Sequence, residues 1–317
     1  MFKKKIKTLI IGLGNIGCKY DLKLKSKNYY TTHAKSIFYT KSFKLLGGVD
    51  KDLYSRKIFE KEYKLPTYKD INVAIKIQKP DTVVVATNER HHLEIVKKIS
   101  KFNFVKYIVL EKPAGKNYQD LKKIIKICKE KNKKILINYF RLYNPYFKKI
   151  ISSLKNKKIF TSYEFNRGIS NNCSHLISFL LFINTPQKLS EIKINLLTNS
   201  KNKVISLKWK KIYCLLINPG IKNLSHTKLE IFSRTKHFVS NNDFSEFHVA
   251  RLEKSKFIKD FYEFKNYLKY LNKYKNCYQK IFYVNFKKNI KEETKYNKML
   301  LMTSGLLNKL KKFEILI

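Results

Sequence analysis

Gly12-Leu13-Gly14-Asn15-Ile16-Gly17 places three of the chain's nine glycines in six residues, directly after the apolar run Ile6–Ile11. In such a turn the first glycine permits a tight bend and the second lets a pyrophosphate reach the backbone. The third lets helix and strand pack closely. The N–H groups that follow, starting at Asn15 and Ile16, would face the phosphates. A dinucleotide site also wants a carboxylate at the tip of the second strand, where it can bind the adenosine ribose. Asp50 ends Phe43–Asp50, 33 residues beyond Gly17. The usual interval is about 20 residues, and the polar stretch Lys19–Thr31 accounts for the excess if it loops out. These residues predict NAD or NADP as cofactor. NAD is slightly favoured, because Asp50 would accept a hydrogen bond from a ribose 2′-hydroxyl and repel a 2′-phosphate; Lys51 and Arg56 could swing to offset that repulsion.

The elements that would position these residues alternate in type. Ile6–Ile11, Phe43–Val49, Thr82–Thr87, Tyr107–Leu110 and Ile135–Asn138 read as strands, and Val83, Val84 and Val85 form an unbroken β-branched run. Asp52–Tyr63, Asp70–Ile77, His92–Lys101 and Tyr118–Lys131 read as helices between them. Strand–helix alternation means right-handed crossovers and a parallel sheet covered on both faces. Past about residue 140 the pattern changes. Asn144 and Pro145 open a helix through Leu154, and six strand candidates then follow with little helix between them: Ile159–Asn166, Glu191–Thr198, Val204–Lys210, Tyr213–Ile217, Lys228–Ser233 and Lys236–Ser240. The fold class expected is α/β: a doubly wound Rossmann domain over residues 1–118, then an α+β domain with a mostly antiparallel open sheet over 119–317. Two late stripes, Phe257/Phe261/Phe264/Leu268/Leu271 and Met299/Met302/Leu306/Leu310/Phe313, have helical spacing and predict core-facing helices.

Glu111-Lys112-Pro113, directly after the strand Tyr107–Leu110, resembles the E-K-P signature of the glucose–fructose oxidoreductase/inositol dehydrogenase (Gfo/Idh/MocA) family. Ala86-Thr87-Asn88-Glu89-Arg90-His91-His92 is similar to that family's A-T-P-x-x-x-H segment, with Asn88 where the family has proline. Asn138–Pro145 resembles its crossing between domains, and Asn171-Asn172-Cys173-Ser174-His175 its D-x-G-x-H segment, with Asn171 in place of the aspartate. The resemblance runs to about residue 185. It implies an NAD(P)-dependent oxidoreductase of sugar-like alcohols or ketones, with Lys112 and His175 as catalytic residues. It adds Thr87, Asn88, His92 and Glu111 to the cofactor site and Lys112, Asn171 and His175 to the substrate site. Arg141 and Arg167, two of six arginines, lie near these segments; they would pair with a phosphate or carboxylate on the substrate, or serve in structural ion pairs. Strand-end residues of a doubly wound sheet lie where the nicotinamide reaches, so Lys112 could exchange the substrate's hydroxyl proton there. Asn171 cannot ionise, which leaves open a second reading: a catalytically silent dinucleotide-binding sensor or scaffold. By the same resemblance the chain is expected to form a dimer or tetramer.

A net charge of +45 invites a nucleic-acid reading, but the basic residues are 62 lysines and 6 arginines spread evenly along the chain. Phosphate and base readers draw on arginine for its bidentate fork, and no basic tail or local run stands out here. No nucleic-acid partner is expected. Cys18, Cys128, Cys173, Cys214 and Cys277 contain no C-x-x-C pair, so reduced thiols and no metal site are expected. The apolar run Leu176–Ile183 is short and broken by Ser178, and the lysines at 3–5 are followed by Lys7 with no cleavage site. A soluble cytoplasmic protein without membrane contact is the expectation.

Overall fold

The run Val83-Val84-Val85 is wholly buried, as a parallel strand covered by helices on both faces must be. It forms the centre of the first of two compact units in the computed structural model, which describes residues 4–24, 28–165, 168–197, 203–219, 221, 226–241, 244, 246–274 and 276–314, without the side chains at 170–172, 203 and 314. One unit comprises Met1–Asn144 with Asn276–Ser304, the other Pro145–Lys275 with Gly305–Ile317.

The first unit runs β1 (Ile6–Ile11), one π-helical turn (Asn15–Lys19), α1 (His33–Phe38), β2 (Phe43–Val49), α2 (Leu53–Tyr63), β3 (Thr67–Tyr68), α3 (Ile71–Gln78) and β4 (Thr82–Val85). It continues with α4 (His92–Ser100), β5 (Tyr107–Leu110), α5 (Tyr118–Glu130), β6 (Lys134–Ile137) and α6 (Phe140–Tyr143). Helix starts follow side-chain capping: Asp52, Asp70 and Asn117 each accept N–H groups of the first turn of α2, α3 and α5. All strand pairs are parallel, in the order β3-β2-β1-β4-β5-β6, the doubly wound Rossmann arrangement. Because β6 pairs with β5 in this sheet, the division expected at 118/119 falls inside the first unit, and the second begins at Pro145.

The second unit contains α7 (Pro145–Leu154), β7 (Ile159–Phe165), α8 (Ile169–Ile183), β8 (Lys193–Leu196), β9 (Lys203–Trp209), β10 (Ile212–Asn218), β11 (Thr227–Ser233), β12 (Lys236–Asn241), β13 (Glu246–Lys254) and β14 (Tyr262–Leu271). These strands form one sheet, β14-β13-β12-β11-β7-β10-β9-β8, antiparallel except for the β7–β10 pair. Trp209, the chain's single tryptophan, is buried there with its indole N–H donating to the Asn184 carbonyl at 2.7 Å.

The stripe Phe257/Phe261/Phe264/Leu268/Leu271 is not a helix. Residues 262–271 pair with β13, and a register shift with Asn266 at φ 56° inserts an extra residue into the strand. Phe257 and Phe261 precede the strand, and Phe257, Phe261, Leu268 and Leu271 are all exposed, so the stripe is not one buried face. The last stripe does form a helix, α11 (Glu293–Glu314), preceded by α9 (Tyr278–Val284) and α10 (Phe286–Lys291), which return to the first unit. There Tyr283 and Phe286 pack edge-on against Phe43, and Glu293 accepts the Ile135 N–H. No helix among the described residues is long and apolar enough to cross a membrane.

Candidate active site

Register fixes the site. Val49, Ile11, Val85, Leu110 and Ile137 are Cα partners across β2, β1, β4, β5 and β6, so the next residues of each strand emerge along one edge. Asp50, Gly12, Thr87, Glu111, Lys112 and Asn138 all lie there.

Gly12 takes φ +95°, and a Cβ would sit 2.7 Å from the Ala86 carbonyl, so the bend admits only glycine. A Cβ on Gly17 would lie 2.0 Å from the Gly12 oxygen. Gly14 differs: its φ is −69° and nothing lies within 4 Å of a Cβ built on it. The fold therefore does not require a bare backbone at Gly14, whereas a pyrophosphate seated on the turn would. Asn15 and Ile16 open the π-helical turn, which ends at Lys19. The chain then makes an excursion before α1. Buried Asp21 closes it by accepting the Thr31 and Thr32 N–H groups, both at 2.9 Å, and the Thr32 hydroxyl at 2.8 Å.

Beside the turn is a cleft of about 420 Å³ lined by Gly12, Asp50, Thr87 and His91, with Lys51, Lys69 and Lys98 among its other walls. Asp50 accepts the Leu13 N–H at 2.7 Å and the Asp52 N–H at 2.9 Å, which orient its carboxylate. Arg56 donates instead to the Asp50 and Lys51 carbonyls. Asn88 caps the short turn Glu89–His91 by accepting the Arg90 N–H. His92 is buried and its Nε2 meets the Thr87 carbonyl at 3.0 Å; burial lowers its pKa, more than the Thr87 and Ala114 backbone contacts raise it. It supports the loop from behind, while His91 faces the cleft.

Glu111 is the most elaborately held group on this edge. Its Oε1 meets His33 Nε2 at 2.8 Å and accepts Asn138 Nδ2, and its Oε2 accepts the Lys112 N–H at 3.2 Å. His33 Nδ1 meets the Tyr283 hydroxyl at 2.6 Å, and Asn138 donates also to Gln279 at 2.9 Å. Burial alone would raise the Glu111 pKa; the His33 bond and charge, Asn138 and the Lys112 charge together hold it below the ordinary value. Lys112 is half-buried and begins a cis Lys112–Pro113 peptide. Arg141 follows in α6, its guanidinium 5.3 Å from the Phe140 ring centroid.

In the second unit, buried His175 lies on α8 one turn after Asn171. Arg167 and the Asn171 side chain are outside the described residues.

Residues 6–139 match the model of the Gfo/Idh/MocA oxidoreductases, described as an oxidoreductase family with an NAD-binding Rossmann fold. Over those residues the chain carries the NAD-binding Rossmann domain of the Gfo/Idh/MocA oxidoreductases. No curated protein matches the chain in sequence. Among solved structures, the dehydrogenase MviM from Clostridium difficile is 15% identical with a TM-score of 0.71, covering 98% of this chain and 100% of that one. A mutant of KijD10, a 3-ketoreductase from Actinomadura kijaniata, in complex with TDP-benzene and NADP, is 12% identical with a TM-score of 0.71 and 98% coverage of both. The WlbA dehydrogenase from Bordetella pertussis, in complex with NADH and UDP-GlcNAcA, is 14% identical with a TM-score of 0.69, covering 98% and 96%. At these identities the likeness is one of fold.

Several groups of this site carry no signal in the sequence. His33, Tyr283 and Gln279 reach Glu111 directly or through one partner, yet His33 and Glu111 lie 78 positions apart and His33 and Tyr283 lie 250 apart. The one local sign was Thr32 before His33, a helix N-cap whose side chain accepts the Lys35 N–H.

Gly14→Val is expected to keep the wild-type melting temperature and lose dinucleotide binding in calorimetry; equal affinity would rule out a pyrophosphate on this turn. A second expectation concerns acid. Glu111 has a depressed folded pKa, so its stabilisation is present above the unfolded value of 4.5 and is lost as pH falls through the folded one. Glu111→Gln should therefore lower the urea midpoint at neutral pH, and the gap to wild type should narrow as pH drops below about 4. A gap that stays constant down to strong acid would show that the carboxylate's charge is not what His33 and Asn138 hold.

Proposed function

We propose that the chain is an NAD(P)-dependent oxidoreductase transferring hydride between the nicotinamide and a hydroxyl or carbonyl carbon of a sugar, nucleotide sugar or cyclitol. The observation that carries this reading is the shared sheet edge. Asp50 and Lys112 stand on it three strand spacings or ~14 Å apart, with the glycine turn between them. Adenosine ribose at Asp50 and diphosphate at Gly14 would direct the reactive ring toward Lys112. When bound, the nicotinamide supplies the hydride acceptor or donor.

Lys112 Nζ exchanges the hydroxyl proton with the substrate oxygen, and Glu111, tied at both oxygens, fixes the backbone that carries it. His175 orients the substrate or shares the proton. Asn171 offers hydrogen bonds without charge, and Arg141 and Arg167 take an anionic group of the substrate. Nucleotide-linked ligands in two of the similar structures favour a nucleotide sugar within this class. Homo-oligomerisation is supported by one face of the second sheet, where Phe160, Leu215 and Phe232 are 51%, 39% and 37% exposed.

Lys112→Met should cut turnover on the best substrate of a sugar and sugar-nucleotide panel by roughly 10²–10⁴-fold with unchanged cofactor affinity. His175→Ala should match that loss if it is the base and fall short of it if it orients. Unchanged turnover in Lys112→Met would refute the assignment. For the cofactor, the oriented Asp50 carboxylate predicts a lower Kd for NAD(H) than for NADP(H). The reverse order would mean that Lys51, Lys69 and Lys98 govern the cleft.

A further inference from the structure

In the second unit, three cations stand abreast on the sheet face that carries α7. Arg251 on β13 is the direct cross-strand partner of Lys236 on β12 and of Lys265 on β14. Like charges placed directly opposite one another on a sheet repel and destabilise the pair. Lys265 has its own counter-ion, Glu263, at 2.9 Å. Lys236 and Arg251 make no ion pair among the described residues, and the neighbouring Glu253 accepts hydrogen bonds from Asn266. Lys149 of α7 meets these two at a cleft of about 260 Å³ whose lining contains no carboxylate. In a chain of 62 lysines, three cations near one another mean little. What distinguishes these is their register, which fixes two of them side by side on rigid strands without a counter-charge.

We propose that this cleft binds a compact phosphate-bearing anion of two or more negative charges, such as a diphosphate or a small sugar phosphate. The cations supply its recognition, because the nearby hydroxyls are already committed: Tyr146 donates to the Tyr270 carbonyl and Ser153 to the Ile150 carbonyl. Phe238 and Val249 form an apolar floor between strands and helix, against which a short carbon skeleton packs. The size decides against a dinucleotide, since sites for drug-sized ligands run from about 300 to 1,000 Å³. An anion bridging Lys149, Lys236 and Arg251 would turn a repulsive row into a charge-assisted clamp. The site belongs wholly to the second unit and is independent of the oxidoreductase reading.

The test uses inorganic pyrophosphate as probe on the full-length protein, with sodium chloride at matched ionic strength to account for general screening of the high net charge. Pyrophosphate should raise the wild-type melting temperature beyond the chloride control. Arg251→Glu should lose that extra shift and bind pyrophosphate at least tenfold more weakly in calorimetry. Lys44→Glu, an exposed change of the same charge on β2, should keep it. Without anion, Arg251→Glu should melt above Lys44→Glu, because it relieves the cationic row. Should Arg251→Glu not fold, Lys236→Gln is measured in its place, with the same loss expected. A wild-type shift no larger than that of chloride, or a shift of full size in the Arg251 or Lys236 variant, overturns the proposal.

Discussion

The level edge of the six-stranded parallel sheet is the constraint on which the rest of the first unit depends. Parallel strands in register end together, so one row of Cα partners, from Val49 through Ile11, Val85 and Leu110 to Ile137, delivers five strand ends to one line. Gly12, Asp50, Thr87, Glu111, Lys112 and Asn138 each follow one of those residues by one or two positions. A slip of one residue in any pair would move its side chains to the opposite face and break their packing against the helices there. The apolar core therefore holds the cofactor edge in alignment, and the two cannot drift independently. This is why loops so different in sequence as the glycine turn, the Thr87 loop and the Glu111–Lys112 turn can serve one extended ligand.

On that edge the protein solves two different problems. Gly12 and Gly17 are required by its own packing, since side chains there would collide with backbone. Gly14 is not, and its open approach makes sense only toward something outside the chain. At the other end, a carboxylate is buried beside the residue proposed to move a proton. An isolated buried charge would be costly, and Glu111 escapes the cost through three donors that leave little freedom to rotate. The C-terminal segment contributes Tyr283 and Gln279 to this network, so the return of α9 to the first unit is part of how the site is held.

The sequence made the ends of the strands legible and left their supports hidden. The glycine turn and Asp50 carry local patterns that follow from backbone geometry, the Glu-Lys-Pro segment is legible through its resemblance to a family signature, and strand–helix alternation up to residue 140 leaves one sheet type. His33, Asp21 and Gln279 have no such pattern. Each is an ordinary polar residue whose partner is brought near only by the finished fold. Lys/Tyr/Asn composition between Lys19 and Thr31 indicated a loop, but not that Asp21 would fasten its end. In the second unit, strands β7 to β12 were visible as β-branched and aromatic runs. β14 is not the helix its apolar spacing predicts, because Phe257 and Phe261 lie before the strand and Leu268 and Leu271, three apart, fall on opposite faces of it. The cationic row was invisible for the same reason as the Glu111 network: Lys236 and Arg251 are neighbours through pairing, not through sequence.

If this edge carries out hydride transfer rather than only holding a dinucleotide, bound reduced nicotinamide is oxidised by a substrate carbonyl. This is tested most directly by mixing the protein with NADH, or with NADPH if that binds more tightly, and a panel of keto sugars and keto nucleotide sugars in a stopped-flow instrument, following reduced-cofactor absorbance within one turnover. Hydride transfer at this edge gives a rapid loss of about one equivalent of reduced cofactor per bound site with at least one member of the panel. Tight cofactor binding without oxidation by any of them would contradict it and leave a dinucleotide-binding protein that performs no redox chemistry.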